Sequence, residues 1–423
     1  MTISLKIHNL FGRIALAVIA LTCVIAFGRI VFSHFVVRTM ADRRITIGQE
    51  ALVSAASRYT DSPRIQVRLA ESEISDSFNV EALAQAQIHA RRSVNLSPWD
   101  YRCWRTLAAA QEFLGNLDGA EISLRTASRL APKYVEVNWT LANVLLRKGK
   151  LQESLEPFRL AANSNRELLP TVLDLLWQAS GGDVEVLKKM AEGDARLQLV
   201  LTQFLVEHSQ SDAAIALYQK IDAKAKVNSS YAASFISSML KVDPPMAREL
   251  WLNAVRAIIP DISSGLVWNG GFEAESLKQF NQFDWTISPS DYARFGFDRA
   301  VAHSGGRSLR VSFVGRDSTR LEGEIKQVVV LKPGRSYRLE CYAKTQNLVT
   351  PEGPRLAMMG QNGIIAISEP VIPGLEGWQN LAVEFTAKPE AMTYISILRA
   401  PRHGYDEPTR GTIWFDDFKL TER

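Results

Sequence analysis

The sequence predicts a multidomain protein with an N-terminal transmembrane helix, an all-α repeat region and a C-terminal all-β sandwich. Three observations lead to this prediction. An apolar run near the N-terminus is long enough to cross a bilayer. The middle of the chain reads as helix and repeats at an offset of 34 residues. Beyond about residue 266, Gly and Pro become more frequent, and apolar residues alternate with polar ones as in half-buried strands.

These changes in pattern set the domain boundaries. The chain of 423 residues is long enough for two or three domains, each with a core of its own. We expect a membrane anchor at 1–45, a linker or helical lead-in at 46–64, helical repeats at 65–260 and a β-sandwich at 266–423.

Composition excludes some classes of protein. A formal charge of +4 is small for this length, and no basic block is present to contact a phosphate backbone. We therefore expect no nucleic acid among the partners. The three cysteines are too few for a disulfide framework and are not spaced as metal ligands.

Residues Ile14 to Val37 form a largely apolar segment of 24 residues in which Arg29 is the only charged side chain. This length spans a bilayer as a helix, and Arg29 can extend towards a head group. A signal peptide cut after the small-x-small sequence at residues 26–28 is the alternative.

Two stretches of the middle region superimpose at the 34-residue offset. They run from Trp104 to Pro132 and from Asn138 to Arg166. Small residues recur where two helices must approach each other, and glycines recur at the turn after the first helix. The matched pairs are Leu107 with Leu141, Ala108 with Ala142, Gly115 with Gly149, Ala120 with Ser154, Leu124 with Phe158 and Ala127 with Ala161. Pro98 and Pro132 end the second helices.

This pattern resembles the tetratricopeptide repeat, a 34-residue helix–turn–helix unit. The resemblance implies a solenoid of four to six hairpins, whose concave face binds a protein partner. A rigid spacer between the membrane and the C-terminal domain is the alternative. Four aromatic residues are expected to pack within or between repeats, namely Trp99, Tyr101, Trp104 and Trp139.

The C-terminal region alternates with a period of two. In "SLRVSFVG" the alternation places Leu309, Val311 and Phe313 on one face. "SYRLECYAKT" turns every second residue from Tyr337 to Ala343 inward, and "NLAVEFTA" does the same from Leu381. "KPG" at 332–334 and "IPG" at 372–374 are turns. About eight short strands in this length predict a two-sheet sandwich.

The order of the motifs is more specific than the alternation. "NGGFE" at 269–273 opens the region and "WFDDFKL" at 414–420 closes it, with "SGGRSLRVSF" and "GWQNLAVEFTA" between them. This series resembles the jelly-roll carbohydrate-binding modules attached to xylanases and other glycosidases, within the galactose-binding-like group. "NGGFE" is then expected to be the first strand, with Gly270 and Gly271 letting it bend beside a neighbouring backbone.

The resemblance also implies a structural calcium. In such modules the opening Glu and an Asp of the closing strand hold the ion, which corresponds here to Glu273 with Asp416 or Asp417. Calcium takes such hard oxygen ligands together with backbone carbonyls. The alternative is that Glu273 forms a salt bridge and the aspartates cap a strand end.

Sugar sites in these modules use aromatic side chains beside polar groups. The outward aromatic candidates are Trp285, Tyr342 and Tyr394, and Arg399 and Gln361 are the candidate hydrogen-bonding partners. An aromatic face stacks on the C–H surface of a pyranose, while polar neighbours bind its hydroxyls. Packing in the core is the alternative for each aromatic.

No catalytic motif is recognisable, so we expect a non-catalytic protein. The expected function is a membrane-anchored envelope scaffold that binds a protein partner and a glycan, in polysaccharide or cell-wall assembly. The alternatives are a pure protein–protein scaffold and a glycan-active enzyme.

Membrane orientation rests on two conflicting signals. Lys6 and Arg13 precede the apolar segment, whereas Arg38, Arg43 and Arg44 follow it, and this count places the bulk of the chain in the cytoplasm. The resemblance to carbohydrate-binding modules points the other way. We expect a single-pass protein of a bacterial inner membrane with its bulk in the periplasm.

Overall fold

The computed structural model describes residues 10–40, 42, 45, 47–76, 78–260, 265–389, 392–401 and 408–423. The chain divides into two compact units, Met1–Met190 and Ala191–Arg423. Residues 1–9, 41 and 43–44 of the predicted anchor, and residue 46 of the predicted linker, lie outside the described residues.

The first unit is helical. In chain order, α1 to α10 are Leu10–Met40, Gln49–Arg58, Pro63–Ile74, Val80–Leu96, Tyr101–Phe113, Leu117–Leu130, Val135–Arg147, Leu151–Ser164, Leu169–Ala179 and Val184–Met190, with a 3₁₀ turn at Arg166–Leu168. Within α1, the stretch Ile14–Met40 has the length and composition of a membrane span, and its most apolar part is not covered by other parts of the chain. A signal sequence has the same properties, so α1 fits either prediction.

The repeats form helical hairpins in the predicted register. Helices α5 and α6 pair as one hairpin, and α7 and α8 pair as the next. Ala108 and Ala127, predicted at close helix contacts, are completely buried. Gly115 and Gly149 have φ of +76° and +73°, a left-handed conformation that glycine adopts without steric cost. The 34-residue period therefore predicted both the packing and the turns.

One of the four aromatic predictions in the repeats is wrong. Trp99 is 84% exposed, because it lies in the short turn between α4 and α5, where neither helix covers it. The rings of Tyr101 and Tyr134 do meet between hairpins at 4.8 Å, and Trp139 contacts Phe158 at 5.6 Å.

In its described residues, the second unit combines five helices with ten strands. Helices α11 to α15 are Ala195–Glu207, Ser211–Lys220, Ala223–Val227, Ser230–Val242 and Pro244–Arg256. Strands β1 to β10 are Thr286–Ile287, Ala293–Asp298, Ser308–Val314, Ile325–Val329, Ser336–Val349, Arg355–Gly360, Gly363–Ile367, Gln379–Thr386, Thr393–Leu398 and Arg410–Glu422.

The strands form two antiparallel sheets of five. Sheet 1 has the order β1-β4-β9-β6-β7, and sheet 2 has the order β2-β3-β10-β5-β8. Their inner faces share one apolar core, which contains the predicted inward residues Leu309, Val311 and Phe313 of β3. Four residues of β5 predicted to point inward lie in the same core, namely Tyr337, Leu339, Cys341 and Ala343. The predicted all-β sandwich is confirmed.

Helix α15 belongs to the same compact unit as the sandwich. The ring of Trp251, almost fully buried, lies against Trp268 at 5.3 Å and Phe283 at 5.6 Å. Its indole N–H donates to the carbonyl of Phe280 at 2.8 Å. The predicted boundary between residues 260 and 266 therefore falls inside the second unit.

The prediction that "NGGFE" is a strand is wrong. Asn269 and Phe272 have φ of +50° and +59°, which breaks extended backbone. The side-chain amide of Gln327 supplies the hydrogen bonds that a neighbouring strand would give, since it accepts from Trp268 N–H at 3.1 Å and donates to its carbonyl at 2.7 Å. The close approach was predicted correctly. A Cβ on Gly270 would lie 2.1 Å from the carbonyl oxygen of Phe418.

Candidate functional site

The three acidic residues predicted as metal ligands lie at one end of the sandwich. Asp416 and Asp417 belong to β10, where a bulge before Lys419 interrupts pairing with β5. Asp417 has φ of +48°, which is uncommon for a residue other than glycine. Consecutive side chains of a regular strand point to opposite faces. At this kink, both aspartates contact the same loop.

The loop between β2 and β3 closes over the two aspartates. The backbone N–H groups of His303 and Ser304 donate to Asp416 Oδ2 at 2.7 and 3.3 Å. Ser304 Oγ donates to Asp417 Oδ1 at 2.7 Å, and His303 Nδ1 lies 2.6 Å from Asp417 Oδ2. The loop is thus held by both carboxylates.

Glu273 binds the next residues of this loop. Its Oε1 accepts from the N–H groups of Gly306 at 2.8 Å and Arg307 at 3.3 Å. A Cβ on Gly305 would lie 2.2 Å from the same oxygen. A Cβ on Gly271 would lie 3.4 Å from Asp417 Oδ1 and 3.7 Å from Asp416 Oδ1. Glycines at 271 and 305 therefore leave the space in which the carboxylates gather.

The cluster has an excess of negative charge. Burial, together with the neighbouring charge of Asp417, raises the pKa of Asp416 to about 6, even though the hydrogen bonds from the backbone N–H groups of His303, Ser304 and Asp417 act to lower it. Within the described part of the chain, His303 is the only basic side chain that forms an ion pair with Glu273, Asp416 or Asp417. A bound cation would lower the electrostatic energy of this cluster.

The donor set is suitable for calcium but incomplete. Among the described residues, no three His, Cys, Asp or Glu side chains are already arranged as a metal site. Calcium at this position would need backbone carbonyl or water oxygens in addition to the carboxylates, and it accepts both. The predicted ligands Glu273, Asp416 and Asp417 stay a prediction.

An aromatic cluster lies next to the carboxylates on the outer face of sheet 2. The ring of Tyr342, a predicted sugar-binding residue, stacks on His303 with centroids 3.7 Å apart. Trp378 meets His303 edge-on at 5.4 Å. All three rings are partly exposed. On β8, the exposed side chain of Asn380 lies directly opposite Tyr342.

Two predicted sugar-binding residues are buried, namely Trp285, whose predicted outward position is wrong, and Arg399, which was predicted as a hydrogen-bonding partner. Trp285 is 5% exposed within the core, and its indole N–H donates to the carbonyl of Asn269 at 3.0 Å. Its ring packs on Phe418 at 4.6 Å, which closes the end of the sandwich. Arg399 is 3% exposed and donates to the carbonyl of Thr319 at 2.5 Å.

Tyr394 and Gln361 belong to sheet 1, away from the aromatic cluster. Tyr394 lies between the inward residues of β9 and therefore points to the outer face, where the ammonium of Lys326 is 5.8 Å from its ring. Gln361 lies in the turn between β6 and β7. Because Tyr342 is on the outer face of sheet 2, the five predicted residues do not form one site.

Sequence analysis missed His303 and Trp378. Alternation could have found Trp378, since Leu381 points inward and residues 378 and 380 then point outward. For His303 no such signal exists, because a loop has no periodicity. Its position beside Tyr342 results from its contacts with Asp416 and Asp417.

Several solved structures are similar to parts of the chain. A carbohydrate-binding module of the CBM4 type is similar over 37% of this chain and 99% of that one, with 17% identity and a TM-score of 0.27. The CBM22-1 xylan-binding domain of Xyn10C from Paenibacillus barcinonensis covers 36% of this chain and 91% of its own, with 14% identity and a TM-score of 0.25.

A tetratricopeptide repeat protein from Parabacteroides merdae is similar over 49% of this chain and 84% of its own, with 12% identity and a TM-score of 0.29. The similar structures thus include both carbohydrate-binding modules and tetratricopeptide repeat proteins. No family model and no curated protein matches the chain.

Proposed function

We propose that the protein is a non-catalytic scaffold of the bacterial envelope, anchored in the inner membrane by α1 with its bulk in the periplasm. Its helical repeats bind a protein partner, and its sandwich binds a glycan during polysaccharide or cell-wall assembly. The observation that carries the glycan-binding part is the partly exposed cluster of Tyr342, His303 and Trp378 on the outer face of sheet 2.

The aromatic cluster has the chemistry of a sugar subsite. A partly exposed ring offers a flat apolar face to the C–H groups of a pyranose, and Asn380 and Asp417 offer a side-chain amide and a carboxylate to its hydroxyls. His303 is held by Asp417 on one side and by Tyr342 on the other. The cluster is therefore ordered before a ligand arrives, which lowers the entropic cost of binding.

Affinity electrophoresis in gels containing soluble polysaccharides tests this proposal. Trp378→Ala should weaken retention at least about fivefold, which corresponds to roughly 1 kcal/mol of binding free energy. Tyr394→Ala is the matched control, because it removes a half-buried aromatic from the outer face of the other sheet. Equal loss in both variants would contradict the assignment to sheet 2. No retention on any polysaccharide would favour a pure scaffold, and turnover of a polysaccharide would favour an enzyme.

The calcium proposed at Glu273, Asp416 and Asp417 would have a structural role. It would neutralise the carboxylates and fix the 303–307 loop that carries His303. Ion and aromatic cluster are therefore coupled in this proposal, since Asp417 contacts His303 and is also a candidate ligand. In the same gels, removal of calcium from the wild-type protein should therefore weaken glycan retention, although no aromatic residue has been substituted.

A groove between α6 and α8 supports the binding of a protein partner. It has a volume of about 540 Å³ and contains Ile122, Arg125, Arg129 and Leu160. Ile122 is 66% exposed and lies in the groove with Leu160, so the two side chains offer a partner an apolar contact. Ile122→Asp should reduce the capture of a partner that wild-type protein retains.

Protease accessibility tests the orientation. With the bulk outside the cytoplasm, protease added to intact spheroplasts should digest the chain beyond about residue 45. Protection until the membrane is lysed would contradict the periplasmic placement and favour a cytoplasmic scaffold.

A further inference from the structure

A cavity in the first unit is lined by four arginines. It has a volume of about 320 Å³ and lies where the end of α1 meets the starts of α3 and α5. Its lining residues are Arg38, Asp42, Pro63, Arg64, Val67, Arg68, Asp100, Arg102 and Cys103. These described lining residues include four arginines and two aspartates, which is an excess of two positive charges.

Packing of apolar residues fixes this arrangement. Val37 and Met40 at the end of α1 lie against a core that contains Leu52, Ile65 and Leu69. Helices α3 and α4 form an antiparallel hairpin, so the turn after α4 returns to the start of α3. Residues far apart in the sequence therefore line one cavity.

Only some of the arginines in the cavity are paired with a carboxylate. Asp100 binds Arg102 through both carboxylate oxygens, with Nε–Oδ1 at 2.9 Å and Nη2–Oδ2 at 2.7 Å. It also caps α5 by accepting from the backbone N–H of Arg102. The charge of Asp100 is thus largely neutralised by Arg102. Among the described residues, neither Arg38 nor Arg64 forms a direct ion pair, although the charge of Arg64 acts on Asp100 and lowers the pKa of that carboxyl group.

Arg68 has an unsatisfied donor at the same place. Its Nη2 donates to the carbonyl of Ile45 at 3.2 Å, but its Nε is buried and has no hydrogen-bond partner within the described part of the chain. A buried donor without a partner is unfavourable. An anion with several acceptor oxygens in the cavity would satisfy it, and guanidinium groups bind phosphate in a bidentate manner.

The position of the cavity along α1 identifies the source of the anion. The apolar segment ends at Val37, and Arg38 follows it directly, at the level where lipid head groups meet a spanning helix. Trp99, which precedes Asp100 of the lining, is 84% exposed. Tryptophan is enriched at the membrane–water interface.

We propose that this cavity binds the phosphate of an anionic phospholipid head group and thereby holds the α3–α4 hairpin against the bilayer surface. This proposal rests on the membrane-anchoring part of the proposed function. The phosphate is held by Arg38, Arg64 and Arg68, while Arg102 remains paired with Asp100.

Binding of phosphatidylglycerol to the full chain in neutral detergent tests this proposal. The lipid should raise the melting temperature and stay bound in native mass spectrometry, whereas phosphatidylcholine should do neither. Arg64→Gln with Arg68→Gln should weaken phosphatidylglycerol binding at least tenfold. Arg91→Gln with Arg92→Gln is the matched control, because it removes the same charge from exposed positions of α4 outside the cavity. If the double variant does not fold, the single variant Arg64→Gln replaces it in the binding measurement, because Arg64 is exposed and its substitution should not disturb the fold.

Three results would overturn the proposal. Equal weakening in the control would mean that general positive charge attracts the lipid. Saturable binding of inorganic phosphate that depends on Arg64 and equals that of the lipid would assign the cavity to a soluble anion. Equal stabilisation by phosphatidylcholine would remove the need for an anionic head group. Flotation of all variants with phosphatidylcholine vesicles reports separately on anchoring, so failure of the cavity and failure of the anchor are distinguishable.

Discussion

Glu121 in the helical repeats and Asp416 in the sandwich are both buried acids, but their surroundings shift their pKa values in opposite directions. In the repeats, Glu121 is 7% exposed and is bound by Lys148, Lys150 and Arg125. Burial alone would raise its pKa, but the hydrogen bonds from these cations outweigh burial and lower the pKa to about 2. In the sandwich, Asp416 is fully buried and accepts from backbone donors, no Lys or Arg of the described residues pairs with it, and its pKa rises to about 6.

This difference in pKa shift distinguishes Glu121, whose charge is used within the fold, from Asp416, whose carboxylate cluster is available to a bound cation. Lys148 and Lys150 come from the hairpin after that of Glu121, so the charge network joins consecutive repeats and balances itself. The carboxylates at the end of the sandwich keep their excess charge within the described chain. Binding of a metal cation can therefore stabilise the sandwich. At Glu121 the three basic side chains already neutralise the carboxylate, so a metal cation would gain little there.

Calcium should give the largest effect. A ligand that binds only the folded state stabilises it by about 2.7 kcal/mol at a hundredfold excess over its dissociation constant. We expect the sandwich of the detergent-purified chain to melt at a higher temperature in calcium than in chelator. Glu273→Ala should remove most of this increment. Glu275→Ala should keep it, because this neighbouring acid is exposed and pairs with Arg307 and not with the predicted ion. Identical melting in calcium and chelator would remove the ion from the proposal.

Glu121→Gln should have the next largest effect. The substitution leaves two lysines and an arginine without their shared carboxylate, and we expect a loss of about 2 kcal/mol in the free energy of unfolding at pH 7. The folded pKa lies below the unfolded value, so this stability is present above about pH 4.5 and is lost as pH falls towards 2. Denaturation between pH 2 and 5 measures it.

The control for this variant is Glu156→Gln. Glu156 pairs with Arg159 on the surface of α8 and is more than half exposed, so its loss should change stability by less than about 0.5 kcal/mol. Equal effects of the two substitutions would mean that Glu121 is no more important than a surface ion pair.

Buried faces of helices and strands could be predicted from the sequence, because the spacing of apolar residues indicates which side of each element packs against the core. Ala108 and Ala127 were predicted from the 34-residue period, and Leu309 and Val311 from alternation, and all four are buried. The same reasoning cannot assign strands to sheets. Tyr342 and Tyr394 both point outward, but their strands pair in different sheets, and no local pattern records that pairing.

A functional site depends on contacts between segments that are distant in the sequence. Such contacts could be predicted only where two segments carry motifs that belong to a known family pattern. The motifs at the two ends of the region predict that Glu273 lies near Asp416 and Asp417, and the structure places all three beside Gly271. Trp285 was misjudged because a single aromatic in a loop-rich stretch has no period, and its indole N–H found a partner inside the core. The arginine cavity was not predicted, since its residues come from three separate segments.

Glu73→Gln should have the smallest effect and the opposite dependence on pH. Glu73 is buried on α3, where no Lys or Arg among the described residues pairs with it, and burial raises its pKa to about 7. His89 Nε2 lies 3.7 Å away, but burial and Arg92 lower the pKa of this histidine. The folded pKa of Glu73 lies above the unfolded value, so its contribution is full below about pH 4.5 and falls as pH rises to about 7.

The variant should therefore be more stable than wild type at pH 8, by about 1 kcal/mol, since the histidine and nearby water reduce the full effect of the pKa shift. At pH 4.5 the two proteins should be equally stable. Glu81→Gln, at an exposed position in the first turn of α4, should show no such difference between the two pH values. Denaturation of the detergent-purified chain at pH 4.5 and 8 measures both variants. If Glu73→Gln loses stability at pH 8, Glu73 is charged and paired in the folded protein, and the contrast with Glu121 disappears.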